Sequence, residues 1–139
     1  MSEAVQRAIV APEPDLDSRW WWDSLAEGRL EVPKCCACGR CFFPPQPYCP
    51  HCGAADWERV EASGHGRIYS WVVAHTPFDP KFADDVPYPI VAVELEEGVR
   101  LFGRYRGPEG GIRADAQVRG FVYWVEGTPL LGFEPAQTG

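Results

Sequence analysis

Basic side chains are scarce in this chain. Its 139 residues hold 13 lysines and arginines against 20 aspartates and glutamates, for a net charge of −7. A binder of polyanions gathers positive charge to displace counterions, so this balance argues against nucleic acid as a partner. Long apolar runs are also missing, and nothing approaches the length of a membrane span. The opening stretch MSEAVQRAIVAPEPD has only a short apolar run flanked by acids, which is not the pattern of a secretory signal. The expected compartment is therefore the reducing cytoplasm, where cysteines bind metal more readily than one another.

Catalytic signatures are lacking too. There is no Gly-x-Ser-x-Gly, no His-Glu-x-x-His and no glycine-rich phosphate loop in context. His65 falls in an expected turn and His75 at a strand end, neither with an evident partner. Asp84-Asp85 and Glu96-Glu97 are paired carboxylates in expected loops, most simply read as solvated charge. The chain is not expected to be an enzyme by itself.

What is present begins with cysteine. Residues 35 to 53 read CCACGRCFFPPQPYCPHCG, with Cys-x-x-Cys-Gly at Cys35–Gly39 and again at Cys49–Gly53. Two intervening residues let one tight turn aim both sulfurs at a common point. The glycine that follows admits the positive φ needed to fold N–H groups back toward them. Four such thiols predict a tetrahedral metal site with Cys35, Cys38, Cys49 and Cys52 as ligands. Cys38-x-x-Cys41 competes as a pair, but Phe42 rather than glycine follows it. His51 lies inside a pair and is expected to be exposed. Zinc is the first choice of metal and iron the second, since four thiolates suit either. Four protein ligands leave no position for water, so the site is expected to be structural. A disulfide framework is the competing reading of six cysteines, but nothing else in the chain points to secretion.

The aromatic content is high, 18 of 139 residues, enough for a real core. Residues 1 to 17 read as a flexible lead rich in Ala, Pro, Glu and Asp. Asp17 or Ser18 then caps an expected helix from Arg19 to Glu27 that stops at Gly28. About ten residues make a marginal helix unless it packs on something. Trp20, Trp21 and Trp22 fan over ~200° of its surface, so one face cannot hide all three. Two readings stand side by side: two pack on the body with one along its rim, or at least one is buried against a partner.

After Gly53 the hydrophobic period becomes 2 and turn residues recur, which predicts an all-β unit. Trp57–Ala62 and Arg67–Thr76 are expected as its first two strands. In the second, Ile68, Ser70, Val72 and Ala74 share one face while Tyr69, Trp71, Val73 and His75 share the other. Bulk on both faces predicts a covered central strand. The segment 76–89 (TPFDPKFADDVPYP), with four prolines and with Phe78 and Phe82, is expected to be a long loop, and a connection of this length is more often functional than idle. A hairpin follows around Glu96-Glu97-Gly98 and another around Gly127-Thr128. Five or six short strands in ~80 residues fit a small OB-type barrel better than a sandwich. The expected fold is thus mainly β: a short N-terminal helix within 1–34, a zinc ribbon at 35–53 and a small OB-fold barrel over 54–139. Arg100, Arg104 and Arg106 share one strand face, an arrangement that suits an anion, although a solvated exterior explains them equally well.

Taken in order, these features resemble a known family. They are the Trp-containing helix, Cys-x-x-Cys-Gly, Cys-Pro-x-Cys-Gly, Val86-Pro87-Tyr88, the run Glu94 to Gly103 and the closing Leu131-Gly132-Phe133-Glu134-Pro135. The resemblance, over residues 18 to 135, is to the acyl-CoA-associated family that joins a rubredoxin-like zinc ribbon to an OB-fold. It implies a non-catalytic partner of a thiolase-like or lipid-transfer-protein-like aldolase, with a MaoC-like enoyl-CoA hydratase as a further associate and acyl-CoA as the substrate class. Some look-alikes serve steroid side-chain degradation by retro-aldol cleavage, and the resemblance implies a role of that kind. Trp20, Trp21, Trp22, Phe78 and Phe82 are then candidates for the partner-binding surface, and Arg100, Arg104 and Arg106 for contacts with CoA phosphates.

Overall fold

The computed structural model describes residues 16–75 and 86–136. Phe78 and Phe82 lie outside the described residues. The order of elements is helix α1 (Arg19–Ala26), β1 (Glu31–Cys35), β2 (Trp57–Glu61), β3 (His65–Ala74), β4 (Tyr88–Leu95), β5 (Arg100–Tyr105), a 3-10 turn (Glu109–Gly111), β6 (Gln117–Val125) and β7 (Thr128–Pro135). None of the described helices is long and apolar enough to cross a membrane.

Helix α1 ends where Gly28 takes φ +82, with its N–H on Leu25 O, a left-handed stop that glycine adopts without strain. Ser18 stands at the N-cap position and its carbonyl accepts from Trp21 and Trp22. Only eight residues long, the helix is held by tertiary contact. Leu25 is fully buried, and Ser24 Oγ, also buried, donates to the Glu31 carboxylate on β1.

β1 and β2 form a two-stranded antiparallel sheet of their own, in register from Glu31↔Glu61 to Cys35↔Trp57. The expectation that Trp57–Ala62 opens the barrel is therefore corrected. The strand returns across the cysteine loops to pair with Glu31–Cys35, and period-2 patterning cannot say which sheet a strand joins. β3 to β7 close a five-stranded barrel in the order β3-β4-β5-β7-β6, the OB arrangement. All its contacts are antiparallel except the short parallel pairing of β5 with β7 through Arg104↔Gly132 and Tyr105↔Phe133.

The barrel core is built from Ile68, Val91, Val93, Leu101, Val118 and Phe133, and it continues under α1 through Trp21 and Leu25. Gly103 sits inside because Phe133 fills the space that a side chain would take. The β6–β7 hairpin turns on Glu126 (φ +49) and Gly127 (φ +83), the two left-handed residues of a type I′ turn, one position earlier than expected.

β3 departs most from expectation. Its register on β4 shifts between Ile68 and Ser70, a bulge at Tyr69. One extra residue reverses the alternation, so Ile68, Trp71 and Val73 share the face of Val93 and Val91, while Ser70 and Val72 share that of Ala92 and Ile90. Nor is the strand covered on both sides. Trp71, Val72 and Val73 are exposed.

Candidate functional site: a four-cysteine centre beside an aromatic surface

Two knuckles of the same design build the metal centre. In the first, Gly39 (φ +79) lets its N–H reach Cys35 O, and the N–H of Cys38 points at Cys35 Sγ at 3.4 Å. In the second, Gly53 (φ +81) returns its N–H to Cys49 O and the N–H of His51 points at Cys49 Sγ at 3.3 Å. The glycines are required here because a side chain at that φ is strained.

The sulfurs of Cys35, Cys38, Cys49 and Cys52 all lie within 4.8 Å of one another. Cys35 Sγ is 3.6 Å from Cys52 Sγ, and Cys38 Sγ is 3.7 Å from Cys49 Sγ. A tetrahedron with metal–sulfur bonds of ~2.3 Å has edges of ~3.8 Å, so these separations match tetrahedral thiolate coordination. They are far longer than the ~2.05 Å of a disulfide. Cys35 and Cys49 are buried, while Cys38 and Cys52 face solvent.

The electrostatics call for a cation. The N–H of Cys38 bonds to the sulfur of Cys35 and lowers its pKa to about 7. At Cys52 the N–H of Ala54 pulls the same way, but the neighbouring sulfurs of Cys35, Cys38 and Cys49, together with some desolvation, push it up to about 11. Sulfurs this close cannot all ionise without a positive charge between them. The donor set therefore fits a resident divalent metal, held in a structural role with no open position. Cys36 and Cys41 stay outside the cluster. Cys36 is exposed, its thiol raised chiefly by desolvation and then by Asp56 and Glu58, and Cys41 is half-buried at a bridge to Lys34, its thiol raised by burial.

The centre shapes the surface next to it. Phe42, fully buried, packs with Cys35 and Cys49 and meets Trp57 edge-on at 6.3 Å. Trp57 in turn stacks on Trp20 at 5.8 Å, with the Arg59 guanidinium 5.5 Å from the Trp20 ring. Trp21, 7% exposed, lies edge-on to Trp22 at 4.8 Å and to Phe43 at 5.5 Å. The three tryptophans thus divide their work: Trp20 on the ribbon, Trp21 at the seam, Trp22 toward the barrel. Helix α1 braces one unit against the other. Trp22 then walls a hollow of ≈280 Å³ shared with Tyr88, Ile90, Phe102 and Leu130, and Phe102 is 69% exposed.

The three arginines are not one cluster. Each guanidinium lies over a ring from a different strand: Arg100 over Tyr69 (4.6 Å), Arg104 over Tyr88 (4.4 Å) and Arg106 over Phe121 (3.7 Å). Arg104 and Arg106 line a second hollow of ≈330 Å³ with Phe121 and Tyr123, and Arg106 is bound to Glu134 at 2.8 Å. Sequence reasoning did not single out Phe102, Phe121 or Leu130 as surface-forming. Their only signal was apolar residues at outward positions of otherwise alternating strands.

Fold and site together define a rubredoxin-like zinc ribbon carrying an OB-fold barrel. Residues 22–58 match the family model described as the rubredoxin-like zinc ribbon domain of ChsH2, and residues 59–124 match that of the ChsH2 C-terminal OB-fold domain. The chain belongs to this DUF35/ChsH2 family. It is 44% identical over 134 residues to a probable enoyl-CoA hydratase alpha subunit of Thermomonospora curvata, covering 91% of this chain and 40% of that protein. It therefore spans less than half the length of that relative. It is 30% identical over 145 residues to the benzoylsuccinyl-CoA thiolase subunit BbsA of Thauera aromatica, covering 96% of this chain and 97% of that one. Among solved structures it is similar to a chain of the Ltp2-ChsH2(DUF35) aldolase, with a TM-score of 0.80, 37% identity, and coverage of 91% of this chain and 99% of that chain.

Proposed function

We propose that this chain is a non-catalytic accessory subunit or domain that docks on, and supports, a thiolase-like enzyme acting on acyl-CoA thioesters. The observation that carries the reading is the aromatic surface between α1 and the outer face of β4–β5, where Trp22, Tyr88 and Phe102 flank an open hollow. Interface cores are enriched in such residues. The metal, read as zinc, has a supporting role: Cys35, Cys38, Cys49 and Cys52 clamp the ribbon and so position Trp57 and Trp20. A ribbon of this size has too little core to fold without it.

Relatives named as an aldolase complex, a thiolase subunit and a hydratase subunit support the substrate class. The narrower reading is a lipid-transfer-protein-like aldolase as partner, in retro-aldol cleavage of steroid side chains, with a MaoC-like hydratase supplying the β-hydroxyacyl-CoA. It is supported by the likeness to the Ltp2-ChsH2(DUF35) aldolase.

The test is reconstitution with a thiolase-like enzyme of the same genome. Co-elution on gel filtration and a gain in that enzyme's activity or solubility are expected. A chain that stays separate and leaves the enzyme unchanged would refute the proposal. A second reading, an acyl-CoA-binding module, is favoured by the hollow in which Arg104 and Arg106 meet Phe121 and Tyr123. Calorimetry of the isolated chain with acyl-CoA decides it, and an absence of heat removes it.

A further inference from the structure

Among the described residues, the second half of β3 is an open sheet edge. β3 meets β6 only over His65–Arg67, and Ile68 still directs its N–H and C=O to Ala116 and Asp115. Beyond the bulge, Ser70–Ala74 pair with β4 alone among the described residues. Natural edges are guarded by charge, proline or shortness, because unpaired N–H and C=O groups template a further strand. This one reads Ser-Trp-Val-Val-Ala, with no charge and no proline; its one guard is the bulge at Tyr69, which precedes the apolar run. Trp71 is 42% exposed, Val72 61% and Val73 45%.

The register says which groups are on offer. Val73 faces Pro89, which has no N–H to give. Ladder bonds therefore skip that pair and fall at Val72↔Ile90 and Ala74↔Tyr88. By the same alternation, Trp71 and Val73 turn their N–H and C=O toward the open edge. Their side chains lie on the face of Val91, and that of Val72 on the face of Ile90. An added strand would meet apolar neighbours on both faces and no charge between Ile68 and Ala74.

Size selects the occupant. Covering Tyr69, Trp71, Val72 and Val73 would remove roughly 350 Å² from water. Two copies paired edge to edge would reach roughly 700 Å² in all, short of the ~1,200 Å² at which stable interfaces begin. A larger partner can continue from the edge across Val72 and Ile90 to Phe102 and the hollow beside Trp22.

We propose that this edge receives a β-strand from the thiolase-like enzyme: an uncharged extended segment of about five residues, apolar on both faces, which continues the barrel sheet into the partner. The inference rests on the docking reading above and names the element through which docking occurs.

The experiment is amide hydrogen exchange on the 139-residue chain, free and mixed with a thiolase-like acyl-CoA enzyme of the same genome, read together with complex affinity. In the complex the amides of Trp71 and Val73 are expected to slow by about 100-fold or more. Val73→Pro removes an outward donor and leaves the β3–β4 ladder intact, so it should weaken the complex by about tenfold or more. Val73→Thr keeps the N–H and should bind as the parent does. Val72→Lys, at an already exposed position, places a guard charge on the edge and should weaken binding without loss of folding. A complex that forms with unchanged exchange at 71–73 and normal affinity for both Val73→Pro and Val72→Lys overturns the strand inference and leaves the docking reading standing. Failure of the parent chain to bind removes both. Edge protection that appears at high concentration without the enzyme makes a second copy the occupant and overturns the proposal.

Discussion

Cys35 and Trp57 are Cα partners at the last rung of the β1–β2 ladder. One side of that rung carries a sulfur of the metal centre. The other carries the indole that stacks on Trp20 of the helix. The metal centre and the seat of α1 are thus two ends of one structural contact, and disturbance of the first is expected to reach the second.

Metal removal should show this directly. The protein is expected to carry one zinc per chain and to be colourless; a red, visible-absorbing protein would mean iron. Chelation should release the ion and shift tryptophan emission to the red as Trp57 and Trp20 lose their packing. Cys38→Ser should do the same with no chelator, while the β signal of the barrel persists. Unchanged tryptophan emission in a metal-free protein would separate the centre from the helix seat.

Trp21 offers a test of what a buried tryptophan is for. Its indole N–H and that of Trp20 are buried with no hydrogen-bond partner among the described residues. A buried orphan donor costs ~1–3 kcal/mol of lost hydration. Trp21→Phe keeps most of the packing and removes the orphan, so its stability should lie within ~1 kcal/mol of the parent. Trp21→Ala leaves a cavity and should cost ~3–5 kcal/mol. Urea titration distinguishes the two, and equal losses would refute the argument.

Gly103 is required by volume. A Cβ there would stand 2.8 Å from Phe133 Cδ2 and 2.9 Å from Leu131 O. Gly103→Ala should destabilise the barrel by ~1–3 kcal/mol through overpacking, with metal content unchanged. Thermal melting followed at a β-sheet wavelength is the measurement.

Glu134 gives the chain a pH-dependent contact. Arg106 Nη2 donates to it at 2.8 Å and Arg119 Nε at 3.0 Å, and these hydrogen bonds, led by Arg106, hold its pKa below the ordinary 4.5. A carboxylate with a lowered folded pKa stabilises the fold above its ordinary value and loses that contribution as pH falls through the folded one. Glu134→Gln should therefore lower the melting temperature at pH 7 by a small amount. The gap to the parent should close below pH 4.5 and shrink in high salt. A gap that persists in acid would assign the loss to packing.

Much of this was legible because the causes are local. Each Cys-x-x-Cys-Gly knuckle is determined within five residues, and Gly28, Gly98 and Gly127 mark a helix stop and two hairpin turns by their own φ. The alternating runs of β4, β5 and β6 declare strands by themselves. β2 looked the same as they did, and its pattern carried nothing to say that Glu31–Cys35, more than twenty residues upstream, is its partner.

By itself, then, the sequence determined the cysteine cluster, the β character of the barrel and the turns between strands, since each depends on short-range spacing and backbone freedom. The tertiary structure decided the sheet that β2 joins, the division of Trp20, Trp21 and Trp22 among ribbon, seam and barrel, and the dispersal of Arg100, Arg104 and Arg106 onto three separate rings. It also decided that one bulge at Tyr69 reverses β3 and leaves Trp71 to Val73 exposed and, among the described residues, paired with β4 alone. These outcomes depend on which distant segment arrives to pair or pack, and no local pattern encodes that arrival.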